Sequence, residues 1–191
     1  MSLSLNADGW VKPACRVASP NFDERPETNV SLIVIHNISL PPRRFGGRSV
    51  LRLFTNTLDT SAHRAFASLV GLRVSAHFLI RRRGDLIQLV SCSKRAWHAG
   101  VSVWQGREQC NDFSIGIELE GSDDIPYTRS QYRCLYALLT LLVRRYPITD
   151  IVGHSGIAPN RKTDPGAAFE WRKIEHIGLS PRVTVHRSAR F

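Results

Sequence analysis

The sequence contains no hydrophobic run long enough to cross a bilayer, and very little cysteine. Its longest apolar-looking stretch, Leu135 to Val143, falls well short of the ~20 residues that a spanning helix needs, so no membrane partner is expected. The four cysteines, Cys15, Cys92, Cys110 and Cys134, stand far apart without a Cys-x-x-Cys pair. That spacing argues against a disulfide framework and leaves reduced thiols as the expectation. The N-terminus, MSLSLNADGWVKPAC, has no basic segment followed by an unbroken apolar run, so no secretory leader is expected and the cytoplasm is the expected compartment. Internal repeats and low-complexity segments are missing as well.

Missing too are a zinc-finger spacing, an RNP-like aromatic motif and an evident helix-turn-helix, and these absences decide how the charge is read. Lys and Arg number 26 against 16 Asp and Glu, a formal net charge of +10. Such a field attracts anions, carboxylate-bearing small molecules among them. The basic residues are scattered, with local concentrations only at Arg81-Arg82-Arg83, at Arg144-Arg145 and in the last ten residues. Scattered charge of this kind describes solvated faces, and no nucleic-acid partner is expected.

What is present is enough apolar material for one core: 191 residues with 42% hydrophobic composition. Val30 to Ile38, rich in β-branched residues, reads as a buried strand ending in His36-Asn37. A Pro- and Gly-containing loop then leads into a weak helical segment around Val50 to Leu58. Val74 to Ile80 and Leu86 to Val90 read as an antiparallel pair joined through RRRGD, and Ser114 to Leu119 as a strand with Ile115 and Ile117 on one face and Gly116 and Glu118 on the other. The strongest helix covers Thr128 to Tyr146, with Tyr132, Leu135, Tyr136, Leu139, Leu142, Val143 and Tyr146 at helical spacing. Thr128 and Gln131 have capping-box spacing, and Pro147 ends the pattern. Ile148 to Gly153 follows as a short strand. The succession predicts an α/β fold, a single domain with a mixed central β-sheet flanked by α-helices. Residues 1–29 are expected to form a lead packed on it, residues 30–178 the domain itself, and residues 179–191 a basic C-terminal tail.

Two histidines sit at predicted strand ends, His36 in IVIHN and His154 in IVGHS, and Asp164 follows the second after a turn-rich excursion, GHSGIAPNRKTDPG. Two imidazoles and a carboxylate suit a catalytic zinc with an open fourth position. They equally suit a non-haem iron triad, so residue type alone leaves the metal open. Lys162, two residues before Asp164, favours hydrolysis, because a cation there can stabilise the oxyanion formed when water attacks a carbonyl. Glu118 is a candidate general acid/base, with Glu120 as its competitor, since residues two apart on a strand share a face. His77, in VSAHFLI, reads as a hydrogen-bonded core residue; His63, His176 and His186 have no comparable context.

The segments VIHNISLPP, FGG, LRVSAHFLIRRRG, RAWHAGVS, QGREQCNDFSIGIELEG and GHSGIAPNRKTDPG, in this order between roughly Gly9 and Ile174, resemble the zinc-dependent N-acetylmuramoyl-L-alanine amidases of the amidase-2 family. They look most like its cytoplasmic branch that trims anhydromuramyl peptides. The resemblance implies one zinc ion held by His36, His154 and Asp164, Glu118 rather than Glu120 as general acid/base, and Lys162 as stabiliser of the tetrahedral intermediate. The implied substrate is an anhydromuropeptide, cut between the lactyl group of the muramic acid and L-alanine by a monomeric enzyme in peptidoglycan recycling. Asn37, Arg73, Trp97, His98 and Arg107 are the implied substrate contacts. Two positions depart from the family pattern: Gln109 stands where a second arginine is common, and Gly156 where Asp or Asn is common. An amidase acting on intact peptidoglycan, as an autolysin or phage-type lysin, and a non-catalytic peptidoglycan-binding module are the alternatives; retention of all five central residues argues against the second.

Overall fold

A strand buried on both faces must be apolar without alternation, and residues 32–35 of the central strand satisfy this in the computed structural model, which describes residues 2–26, 29–175 and 181–187. In chain order the main sheet contains β1 (Cys15–Arg16), β2 (Leu32–Ile38), β3 (Phe78–Ile80), β4 (Leu86–Gln88), β5 (Ser114–Glu120), β6 (Asp150–Gly153) and β7 (Thr184–Val185). Their spatial order is β7-β6-β2-β5-β3-β4-β1. All neighbours are parallel except β3 and β4, which form the expected antiparallel hairpin with Phe78 opposite Gln88 and Ile80 opposite Leu86. Gly84 makes its turn possible: φ is +89°, and a Cβ there would lie 2.8 Å from the Ser130 carbonyl.

The long helix, Arg129–Arg145, covers one face of the sheet. Its capping box is complete. Thr128 Oγ1 accepts from the Gln131 backbone N–H at 3.1 Å, and Gln131 Oε1 accepts from Thr128 N–H at 3.1 Å. Gln131 is itself buried, and its amide donates to the carbonyls of Glu120 (2.9 Å) and Ile80 (3.3 Å), tying the helix start to the ends of β5 and β3. Leu135, Leu138, Leu139 and Leu142 pack fully buried against Ile33, Ile35, Ile115 and Ile117. Each such burial stabilises by about 1.5–3 kcal/mol. The expected stripe needs one correction: Tyr136 is 43% exposed, and Leu138 takes the inward place. The stripe runs through 135, 138, 139 and 142, and a residue at 136 falls roughly 100° off its centre.

The opposite face is split. Near the starts of the strands, Leu32, Val34 and Val152 meet Ala99, Cys110, Phe113 and Ile157. Toward their C-terminal ends the same face turns polar, with His36, Glu118 and Glu120. A crevice outside the carboxyl ends of parallel strands is where open α/β sheets place their chemistry.

Val50 to Leu58 shortens to a helix over Ser49–Phe54, and the strand expected from Val74 narrows to β3. Part of the basic tail belongs to the fold: Thr184 and Val185 pair with Asp150 and Ile151, and His186 Nε2 lies 2.7 Å from Asp150 Oδ1. The Val183-Thr184-Val185 alternation, hidden by basic neighbours, is what the sheet edge uses. The lead is fastened by Arg25, whose guanidinium donates to the carbonyls of Asn111, Asp112, Lys94 and Ser114. His176 lies outside the described residues. Among those described, no helix is long and apolar enough to cross a membrane.

Candidate metal centre and active site

Parallel pairing of β2 with β5 sets His36 beside Glu118, and pairing of β2 with β6 brings Gly153, and hence His154 in the following turn, to the same end of the sheet. The loop after His154 folds back because the Ser155 N–H donates to the Asp164 carbonyl at 3.0 Å. As a result His36 Nδ1 and His154 Nδ1 are 3.0 Å apart, and each lies 3.1 Å from Asp164 Oδ2. These three are the described residues whose ligand atoms cluster in a way that fits a metal ion. The triangle is close to the ~3.3 Å edge of a tetrahedron whose corners are ~2.0 Å from a central ion.

Proton placement strengthens the fit. His154 Nε2 faces the Ala99 carbonyl at 3.1 Å, an acceptor, so Nε2 carries the ring proton and Nδ1 the lone pair. On the other side, Ser114 Oγ donates to the Cys110 carbonyl and therefore accepts from His98 Nε2 at 3.2 Å. That leaves His98 Nδ1 to accept from His36 Nε2 at 3.0 Å, and His36 Nδ1 also bare. Burial, followed by the neighbouring His154, pushes His36 down to about 4, so it is neutral near pH 7. With both rings neutral, two imidazole lone pairs and a carboxylate oxygen converge, a donor set that suits a cation.

The two glutamates, indistinguishable by spacing, differ in what they touch. Glu120 is satisfied: Oε1 accepts from Gly46 N–H (2.7 Å) and Oε2 from Arg82 N–H (3.2 Å). Glu118 is 8% exposed, and its Oε2 is buried with no hydrogen-bond partner. Burial first, then the charge of Asp164, raises its carboxyl well above the ordinary range, with Lys162 pulling the other way. A carboxyl so placed binds protons far more avidly than an exposed one, as a proton-transferring group must.

A cleft of about 550 Å³ opens at Asp164, lined among others by Asn37, Arg43, Asp123, Arg161 and Lys162. Asn37 donates to Asp123 Oδ1 at 2.7 Å. Asp123, Arg161 and Arg43 were not singled out from sequence. Arg161 adjoins Lys162 but turns away to donate to the carbonyls of Ala99 (2.8 Å) and Val101 (2.6 Å). Arg43 pairs with Asp124 on the rim.

The other residues expected to contact substrate do not line this cleft. Arg107 stacks on Phe113, 3.7 Å from the ring centroid, with Ser31 Oγ at 3.3 Å. Arg73 is exposed, Trp97 half-buried, and neither lines the cleft. His98 is buried with both nitrogens engaged. His77 is a core residue as expected: Nδ1 accepts from Gly116 N–H at 3.0 Å, and Nε2 donates to the Lys94 carbonyl at 3.1 Å. At Gly156 a Cβ would meet only Val152, at 3.9 Å, so the backbone does not demand glycine there.

This arrangement has counterparts. A model of the N-acetylmuramoyl-L-alanine amidase family, Amidase_2, matches residues 26–167, which include all three converging ligands, Glu118 and Lys162. The chain belongs to this family. Its members are hydrolases, and the chain is an N-acetylmuramoyl-L-alanine amidase. It is 56% identical over 173 residues to the 1,6-anhydro-N-acetylmuramyl-L-alanine amidase AmpD of Citrobacter freundii, covering 89% of this chain and 92% of that one. The crystal structure of a selenomethionine AmpD derivative superposes with a TM-score of 0.89 at 54% identity, covering 95% of this chain and all of the other. A more distant amidase, AmiD of Escherichia coli, in complex with anhydro-N-acetylmuramic acid-L-Ala-D-gamma-Glu-L-Lys, matches at a TM-score of 0.58 and 27% identity over 93% of this chain and 66% of its own.

Proposed function

We propose that the amidase is a zinc enzyme of peptidoglycan recycling, acting in the cytoplasm as a monomer on 1,6-anhydro-N-acetylmuramyl peptides. It hydrolyses the amide between the lactyl carbonyl and L-alanine. The observation that carries this reading is the convergence of His36 Nδ1, His154 Nδ1 and Asp164 Oδ2 beside the unpartnered Glu118 Oε2. Similarity to amidases named for the anhydromuramyl substrate supports the choice of substrate.

His36, His154 and Asp164 would hold the ion. When bound, zinc supplies acidification of water near neutral pH and polarisation of the scissile carbonyl. Glu118 accepts the proton of the attacking water at its carboxylate and returns it to the leaving nitrogen, a transfer suited to a carboxyl whose proton affinity burial has raised. Lys162, an exposed ammonium on the cleft wall, stabilises the oxyanion as the carbonyl becomes tetrahedral. Asn37, oriented by Asp123, presents its amide to the bound peptide. The net charge of +10 draws in the stem-peptide carboxylates.

The test is mass-spectrometric product analysis with zinc-loaded protein and an anhydromuramyl tripeptide, alongside chelated protein and intact sacculi. Free tripeptide, released only by the loaded protein, supports the reading. Cleavage of sacculi without cleavage of the soluble peptide would move the substrate to polymeric wall.

A further inference from the structure

We propose that His98 and Ala99, held in place by the Asn111 side chain, form one positioning device that fixes the tautomers of both histidine ligands. The segment RAWHAGVS supplies two consecutive acceptors, one for each metal histidine. His98 Nδ1 takes the His36 Nε2 proton at 3.0 Å, and the Ala99 carbonyl takes the His154 Nε2 proton at 3.1 Å. Asn111 Oδ1 binds both of their backbone N–H groups, at 3.1 Å to His98 and 2.8 Å to Ala99. A single buried carboxamide therefore sets the position of both acceptors.

Each acceptor is itself constrained. His98 cannot place its proton on Nδ1, because its Nε2 is turned to Ser114 Oγ, whose own proton is committed to the Cys110 carbonyl. The Ala99 carbonyl also accepts from the Arg161 guanidinium at 2.8 Å, which fixes its direction. Gly116 completes the device: a Cβ there would fall 2.4 Å from His98 Cγ and 2.6 Å from Nδ1, so only glycine lets the ring lie against β5 between Ser114 and His36. His98 thus acts through His36 as a positioning residue, with no nitrogen left for substrate. Partners that orient a ligating histidine in this way typically contribute roughly 10–100-fold in metal affinity.

The proposal rests on the metal reading above, and the test separates the two. His98→Asn keeps an acceptor close to the place of Nδ1, whereas His98→Leu has nearly the same shape and none; Ser114→Ala leaves the ring packed but frees its tautomer. Two quantities are read: zinc affinity by competition with a chromophoric chelator, and the imidazole nitrogen NMR signals of the metal-free proteins. The expected result is zinc affinity roughly 10–100-fold weaker in His98→Leu, largely kept in His98→Asn and intermediate in Ser114→Ala. The His36 signals should report a proton on Nε2 in wild type and a mixture of tautomers in His98→Leu and Ser114→Ala. Equal losses in His98→Asn and His98→Leu, or unchanged His36 tautomer in Ser114→Ala, would overturn the proposal. If wild type itself bound no zinc, the metal reading would fall, and the metal-free NMR signals alone would decide the positioning role.

Discussion

Glu118 and Glu120 project from the same face of β5, yet Glu120 is bound by the N–H groups of Gly46 and Arg82 while Glu118 keeps a buried oxygen with no partner. One carboxylate fastens the loop after His36 to the hairpin; the other is left beside the metal ligands. Glu118→Gln is therefore expected to bind zinc normally, unfold at the wild-type temperature and lose roughly 10²–10⁴-fold in kcat. Glu120→Gln should cost about 1–3 kcal/mol in urea unfolding, because a buried carboxylate that accepts two backbone N–H groups becomes a neutral amide with one oxygen, and keep most of its turnover. Turnover and unfolding measured on both variants check the assignment, and an active Glu118→Gln would remove it.

Asp164 supplies the carboxylate of the ligand triangle. Asp164→Ala should bind zinc far more weakly and lose the thermal stabilisation that added zinc gives wild type, since an ion that binds only the folded state stabilises it by mass action. Thermal melts with and without zinc test this: an equal zinc-dependent rise in both proteins would mean the ion sits elsewhere.

His77 makes an acid-sensitivity prediction. Burial, then Arg25, pushes it down to about 3 in the folded protein, against about 6.5 in the unfolded chain. The unfolded state thus binds more protons as pH falls below about 6.5, and stability declines from there toward pH 3. His77→Asn, which keeps an acceptor for Gly116 N–H, should flatten this decline relative to wild type. Urea midpoints of metal-free proteins between neutral pH and pH 4 give the comparison; parallel curves would show that His77 does not titrate on unfolding.

Packing of the long helix separates two neighbouring positions. Leu138→Ala should cost about 2–5 kcal/mol through the cavity it leaves, and Tyr136→Ala, at a site 43% exposed, about 0.5 kcal/mol or less. Denaturant unfolding would contradict the structure if Tyr136 were the costlier loss.

Much of this was legible in the chain. The 3.6-residue stripe, the Thr128/Gln131 box and Pro147 define the long helix because local signals and burial agree, and the apolar run before His36 defines the central strand for the same reason. Histidines at two strand ends and Asp164 after a turn-rich loop pointed to a metal. What spacing could not supply was proton bookkeeping: the difference between Glu118 and Glu120 lies in donors from Gly46 and Arg82, more than 35 residues away. The same is true of His98, whose motif suggested a cleft residue but whose ring is buried under His36. Arg161 carries no sequence signal of its own beside Lys162, since a loop's neighbours turn to opposite sides with no periodicity. Val183 and Val185 were obscured by basic composition, although their alternation is a strand pattern.

The most direct measurement is zinc K-edge X-ray absorption on protein reconstituted with one equivalent of the metal. Binding at His36, His154 and Asp164 gives a low-coordinate first shell of nitrogen and oxygen at ~2.0–2.2 Å, with the outer-shell scattering of two imidazoles. Sulfur scatterers at ~2.3 Å, or a shell without imidazole, would place the ion away from His36, His154 and Asp164 and contradict it.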